Sequence, residues 1–454
     1  MFPSRFPRTD TLSGILRLFI TLGLLMLFGC GGGSGGGGGD TGDDADDTPR
    51  DSTWQRFSIA HTEGGGLMIP NVKAVPDGNG RVHVAYFTDS VMTDGDYTIN
   101  HILWDIPAGS EVSHESIVDI DNCRTLALSL GPDGSPVAAY QGGTVRAGGS
   151  EQQSDVMVSI FRNDAWTEYT GGIGFVERNP VFEDGLAGKH VAAAVDGLGD
   201  IHLCYQFFYE GIDAMNFNYP DLLYVEKDGS SPGSDGTEET VEGNVYNDNG
   251  TASEQNRVGE RIAMVLDAAG SPVVFYAADL APNSSDPDTK GLRVAFRDNG
   301  TWVSEWVETG FDVGDISCAL DGYGNPCVAY YVDGEYTDSY GVTHGQCLKY
   351  ASRTASSWAA SLVDETSLCG AYCSLAFDPS GNPAIAYYAM ENHSGSLTLN
   401  DLRVARLSGS VWDKEAVATA GDIGMYNSLW FDEDGTAYIC TFSDTDQTIY
   451  LYYR

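Results

Sequence analysis

Residues 378–387 read DPSGNPAIAY, a polar Asp-x-x-Gly turn followed by Pro and an apolar run that ends in Tyr. The same phrase returns as DGNGRVHVAY from residue 77, GPDGSPVAAY from 131 and DGLGDIHLCY from 196. It returns again as DAAGSPVVFY from 267, DGYGNPCVAY from 321 and DEDGTAYICT from 432. Asp at the first turn position accepts backbone N–H bonds, and Gly at the fourth supplies the positive φ that closes the turn. An apolar strand precedes each turn and another follows it, so each copy reads as a β-hairpin. A supersecondary unit repeated at this spacing predicts a radial array. The turns are scaffold, and their chemistry is explained by turn-building alone.

A third strand follows most hairpins, as in GLRVAFR from 291, CLKYASR from 347 and DLRVARL from 401, with DLLYVEK from 221 and VMVSIFR from 156 alike. A fourth opens on Trp166, Trp302, Trp358 or Trp412. The chain therefore predicts an all-β fold: a seven-bladed β-propeller of four-stranded antiparallel blades. The last repeat stops after IYLYYR (449–454) and lacks its Trp strand, while STWQRFSIA (52–60) is a Trp strand with no hairpin before it. The N-terminal strand is thus predicted to complete the last blade and remove the open sheet edge. Two and four residues before each turn the side chains are mostly small, as in Ala127, Ala192, Ser317, Ser374 and Ser428. They are expected to face the axis, with Val and Leu of the other parity packing between blades. Lys73 and Trp430 are exceptions expected to plug the channel in part.

Arg5, Arg8 and Arg17 precede an apolar run, 18–28, that ends in Leu27-Phe28-Gly29-Cys30. The run is too short to span a bilayer and suits a signal-peptide core. Its end resembles the bacterial lipobox. That resemblance implies a signal peptide at 1–29 and a diacylated Cys30 as the new N-terminus. Gly31, where Asp would signal retention, then implies the outer membrane or cell surface. An ordinary secretory signal is the alternative. Residues 30–51, with GGGSGGGGG and DTGDDADDTPRD, read as a flexible tether of roughly 25 Å reach, leaving 52–454 for the propeller. The net charge of −41 excludes nucleic acid, whose phosphates need clustered Lys and Arg. It also argues against direct adhesion to anionic lipid, so membrane contact is expected through the anchor only. Solubility, or a saline habitat, explains the charge more simply than capture of a cation or basic partner. A closed ring is expected to be monomeric.

Eight cysteines follow Cys30. Cys123, Cys318, Cys327, Cys347, Cys369 and Cys373 are the disulfide candidates for an exported chain, in a pairing that spacing does not fix. A zinc site is the alternative, without a CxxC pair to support it. Cys204 and Cys440 share one repeat position and read as buried apolar residues, as His83 and His202 at another position read as packing. No cofactor motif occurs. The acidic insert at 227–259 reads as exposed loop and offers oxygens for Ca²⁺ without any recognised spacing.

The loops between second and third strands are long and share one face, where propellers carry their sites. Six residues before each turn position, at the channel mouth on that face, stand Asn71, Thr125, His190, Arg261, Asp315, Tyr372 and Tyr426. All are polar or polar-tipped. Solvated strand starts would explain them; a ligand site on the axis is the alternative, with His190, Arg261 and Asp315 as polar contacts and the tyrosines as a stacking surface. The repeat phrase, with Leu-x-Tyr-Ala and Trp behind it, resembles bacterial surface and secreted propellers grouped loosely with the sialidase-like ones. The resemblance covers most of 52–454. No Ser-x-Asp-x-Gly-x-x-Trp Asp box is present, and arginine near the mouth is confined to Arg124, Arg178, Arg257 and Arg261, which argues against a sialidase site. The leading expectation is a non-enzymatic surface protein that binds a glycan, peptide or protein. The alternatives are a carbohydrate-active hydrolase or lyase, pairing Glu177 or Asp184 with Asp315, and a structural component of the cell surface.

Overall fold

In six turns the leading Asp accepts N–H bonds from the residues two and four further on, at 2.7–3.1 Å. The Gly at each fourth position has φ between 79° and 93°. In the second repeat Gly131 leads, and Asp133 caps the turn through Ser135 N–H at 3.0 Å. These hairpins belong to a computed structural model that describes residues 54–61, 68–89, 96–121, 125–145, 152–172, 185–209, 220–234, 236–244, 256–280, 289–337, 341–354, 357–366, 368–393 and 396–454. The expected signal, Cys30, the tether, Cys123, Glu177 and Asp184 lie outside them, as do most of the long loops and the end of the acidic insert.

Seven four-stranded antiparallel blades form the propeller. Their innermost strands are Met68–Pro76, Leu126–Leu130, Gly185–Val195, Arg257–Leu266, Asp312–Leu320, Cys369–Phe377 and Ile423–Phe431. Their outermost strands are Ser110–Asp121, Ala165–Gly172, Thr237–Glu242, Thr301–Thr309, Trp358–Asp364, Val411–Ala418 and, for blade 7, Gln55–His61. That last strand pairs antiparallel with Thr448–Tyr453, from Gln55 opposite Tyr453 to His61 opposite Thr448. The first strand of the propeller therefore closes its last blade, as the surplus Trp strand predicted. Two expectations need correction. The outermost strands of blades 1 and 3 carry no Trp, and that of blade 3 lies within the insert expected to be loop.

The core lies in the seams between blades. One cluster joins blades 4 and 5 around Phe275, Val294, Phe311 and Val328; another joins blades 6 and 7 around Trp54, Leu402, Leu429 and Ile439. Both parities of the innermost strand enter these seams, including Ala127 with Ala193 and Ala263 with Cys318. The small residues thus do more than face the axis. Ser317, Ser374 and Ser428 accept the backbone N–H of Leu375, Leu429 and Ala74 on the next blade, at 2.9, 2.9 and 3.1 Å. Trp430 is buried and stacks on Tyr438. The seven described cysteines are free thiols, which corrects the expected disulfides among 318–373.

The Tyr that ends each phrase is a latch. In blades 4, 5 and 6, Tyr276, Tyr330 and Tyr387 donate to Glu242, Glu308 and Asp364, each at the end of the preceding blade's outermost strand. A cation joins each carboxylate: Arg293 at 2.9 Å, Lys349 at 2.5 Å and Lys414 at 2.8 Å. A second ladder runs further out. Trp302 and Arg297 bond Glu239, and Trp358 and Arg353 bond Glu305, again across a seam. In blades 1 to 3 the Tyr bonds its own outer strand: Tyr86 to His114, Tyr140 to Glu168 and Tyr205 to Glu238.

His83 and His202 are buried, as packing requires, with Nδ1 of His83 3.0 Å from Nε2 of His101 and that of His202 2.6 Å from Tyr224 Oη. His101 also meets Trp166 of blade 2 edge-on, and its Nδ1 has no partner among the described residues. Burial, with smaller contributions from His83 and His114, pushes the His101 pKa down to about 3. Burial lowers His83 too, against Asp77. The unfolded chain binds a proton near pH 6.5 that the folded chain refuses, so stability is full above that pH and is lost as pH falls toward 3. For His101 the loss is on the order of 5 kcal/mol across the whole interval. Melting temperature is expected to fall between about pH 6.5 and 4.5, and His101→Met is expected to flatten that slope. Equal slopes in the two proteins would contradict the assignment.

Candidate ligand site at the channel mouth

The ring six residues ahead of the turns is built on β-bulges. Strand register shifts between Ile69 and Val72, Ala187 and Val191, Val258 and Ile262, Val313 and Asp315, Ala371 and Ser374, and Met425 and Ser428. Each bulge holds or adjoins one ring residue: Asn71, His190, Arg261, Asp315, Tyr372 or Tyr426. A bulge leaves a residue out of the ladder and re-aims its side chain. Gly259 and Gly188, at φ 77° and 81°, make the kink in blades 4 and 3. In blades 6 and 7 Tyr372 and Tyr426 themselves adopt φ 52° and 56°. Tyrosine in that region is strained by roughly 1–3 kcal/mol and persists only where its surroundings impose it. Asn427 imposes it here: its buried amide donates to Tyr372 O at 3.0 Å and to Gly424 O at 2.7 Å.

Five ring residues act on one another. The Tyr372 and Tyr426 rings lie 4.5 Å apart with their hydroxyls hydrogen bonded. Tyr372 N–H and Ile316 N–H both donate to the Asp315 carboxylate. Arg261 donates from Nε to Gly314 O at 2.6 Å and from Nη1 to Glu260 O at 2.8 Å. All five are half-buried, with protein around them. Burial therefore dominates their chemistry. It raises Asp315 against the pull of Arg261 and Lys73. It lowers His190 well below its ordinary value, helped by Arg261 and Lys189, so the imidazole is neutral near pH 7. It pushes Tyr372 up to about 12 and Tyr426 well above its usual value.

Asn71 is buried at the bulge of blade 1, and Thr125 half-buried just ahead of the innermost strand of blade 2. Lys73, read from sequence as a partial plug, is half-buried with its charge in range of Asp315. Sequence reasoning missed three supports. Asn427 holds the bulges, and Tyr388, edge-on to Tyr372, donates to Asp422 at 2.7 Å. Burial raises the Asp422 pKa against bonds from Tyr388 and Asn400. One signal was available: Gly188, Gly259, Gly370 and Gly424 each stand eight residues before a turn Asp, two before a ring residue. Beside the mouth, a cleft of about 90 Å³ between blades 4 and 5 is lined by Arg257, Glu260, Asp279, Phe311 and Asp312. Among the described residues no group of three His, Cys, Asp or Glu side chains is placed to hold a metal.

No family model matches the chain, and no curated protein matches it. Among solved structures it is similar to an ulvan lyase of a new polysaccharide lyase family, with TM-score 0.55 and 11% identity over 87% of this chain and 95% of that one. The likeness is one of fold. A protein of unknown function from Dyadobacter fermentans aligns with TM-score 0.49 and 10% identity over 88% of this chain and 98% of its own. A Hadza microbial sialidase aligns with TM-score 0.43 and 14% identity over 80% and 73%.

Proposed function

We propose that this chain is a surface-anchored carbohydrate-binding propeller whose ligand seats at the channel mouth. One observation carries the reading: five polar and aromatic side chains on successive bulges act on one another, two of them strained tyrosines in ring contact. The two rings, tilted at 43° to each other, offer apolar surface to the C–H side of a sugar. Arg261, Asp315 and His190 offer donors and acceptors to its hydroxyls, the few placed polar groups that orient a ligand in such a site. The test is a glycan array followed by titration calorimetry with Tyr372→Gly and Tyr426→Gly. Glycine relieves the positive φ, so these variants are expected to stay folded while affinity drops roughly 30-fold or more. Unchanged affinity would remove the tyrosines from the site.

A second reading is a carbohydrate-active enzyme. It is favoured by a carboxyl of raised pKa, a neutral imidazole and two phenols confined in one enclosed mouth, a cluster suited to proton transfer. The fold likeness to a polysaccharide lyase agrees with it. Release of unsaturated or reducing ends from a bound polysaccharide would decide for catalysis.

A further inference from the structure

We infer that the glycan taken at the channel mouth carries an anionic group, a carboxylate or sulfate, gripped by Arg261 and Lys73; this rests on the carbohydrate reading above. The chain has 24 basic residues against 65 acidic ones, and nine of the described Lys and Arg side chains hold a carboxylate, while Arg56 bonds Tyr452, Arg162 bonds Gly229 O and Arg406 lies over Trp54 and Phe431. The seams show the ordinary case: Arg293, Arg297, Lys349, Arg353 and Lys414 all hold carboxylates. Arg261 does not. Its described bonds go to two backbone carbonyls, which leave Nη2 without a partner among the described residues. The Lys73 ammonium forms no hydrogen bond or ion pair with any described residue, although the residue is half-buried. Confining two cations without partners is unfavourable unless something compensates them.

Asp315 opposes both charges, and its carboxyl is itself disfavoured as an anion by burial. His190 is neutral, and Lys189 beside it adds positive charge at the rim. At the ring itself Arg261 and Lys73 thus face a single carboxylate, Asp315. An enclosed opening concentrates such a field and draws an anion to it. The guanidinium fork of Arg261 suits a planar carboxylate or a sulfate, with the Lys73 ammonium as a point charge.

The test titrates the purified full chain with an oligogalacturonate, its carboxyl-reduced neutral counterpart and a sulfated galactan oligosaccharide, each at low and high salt. One of the two anionic probes is expected to bind at least about tenfold more tightly than the neutral one, and which one does so tells carboxylate from sulfate. The advantage is expected to shrink at high salt. Lys73→Met removes no described bond, so it is expected to fold; it should cost about tenfold in affinity for the anionic probe alone. Asp315→Asn, which removes the opposing charge, should raise that affinity several-fold. Equal affinity for the neutral probe, with Lys73→Met without effect, would overturn the anion grip and leave carbohydrate binding standing. Failure of all three probes to bind would remove both readings.

Discussion

Deletion of residues 52–61 is expected to open the ring and leave a protein that melts far lower and associates. The strand Gln55–His61 supplies the outer edge of blade 7. Without it, Thr448–Tyr453, an apolar run of sequence TIYLYY, becomes a free edge, the kind of surface that pairs with another chain. Trp54, just ahead of the strand, is 9% exposed and packs with Ala384, Leu402 and Tyr452 in the seam between blades 6 and 7. Arg454 and Arg406 lie over its ring, each at 5.9 Å. Trp54→Ala alone removes that packing and is expected to cost about 3–5 kcal/mol. Thermal unfolding and light scattering read both effects. A deletion protein that melts with the wild type and stays monomeric would show that the ring does not need its N-terminal clasp.

Asp364→Ala is expected to be the most damaging single change in the seams, at about 3–5 kcal/mol. Its carboxylate is fully buried and accepts bonds from Tyr387 at 2.7 Å, Thr366 Oγ1 at 2.7 Å and Lys414 at 2.8 Å. Removal strands the buried Tyr387 hydroxyl and leaves the Lys414 ammonium without its counter-charge. Lys414→Met in the same protein is expected to restore part of the loss, because the two changes share one network. The pH dependence has a definite sign. Burial alone would raise the Asp364 pKa; the bonds from Lys414, Thr366 and Tyr387 outweigh it and hold the value below 3.8. The stabilisation is thus present above pH 3.8 and is lost as pH falls through the lower folded value. It acts below pH 3.8, whereas the His101 slope begins near pH 6.5, so the melting curve above pH 4.5 reads His101 apart from Asp364. Additive losses in the double variant would argue against a shared latch.

Much of the site could be located by counting back from the turns, because each turn fixes the end of its innermost strand. That ruler reached His190, Arg261, Asp315, Tyr372 and Tyr426. It did not reach Asn427, whose amide bridges two neighbouring blades, or the role of Lys73, which depends on Asp315 three blades away around the ring. It also passed over the bulges, since a register shift belongs to a pair of strands and neither strand records it alone. The recurring Tyr was legible as a strand end but not as a latch. Its carboxylate partner comes from the preceding blade in blades 4 to 6 and from its own blade in 2 and 3, while in blade 1 the partner is His114.

By itself the sequence determined what is local. Asp and Gly spacing set the hairpins, alternation set the strands, and one surplus Trp strand against one missing set the closure, because these depend on hydrogen bonds and φ angles within a few residues. The tertiary structure decided what is shared between blades. It placed carboxylates against tyrosines, left the thiols apart, set the ring residues on bulges and left Arg261 and Lys73 in range of Asp315 without a direct ion pair among the described residues. Those outcomes depend on which side chains meet across a seam or across the channel, at distances the linear order does not contain.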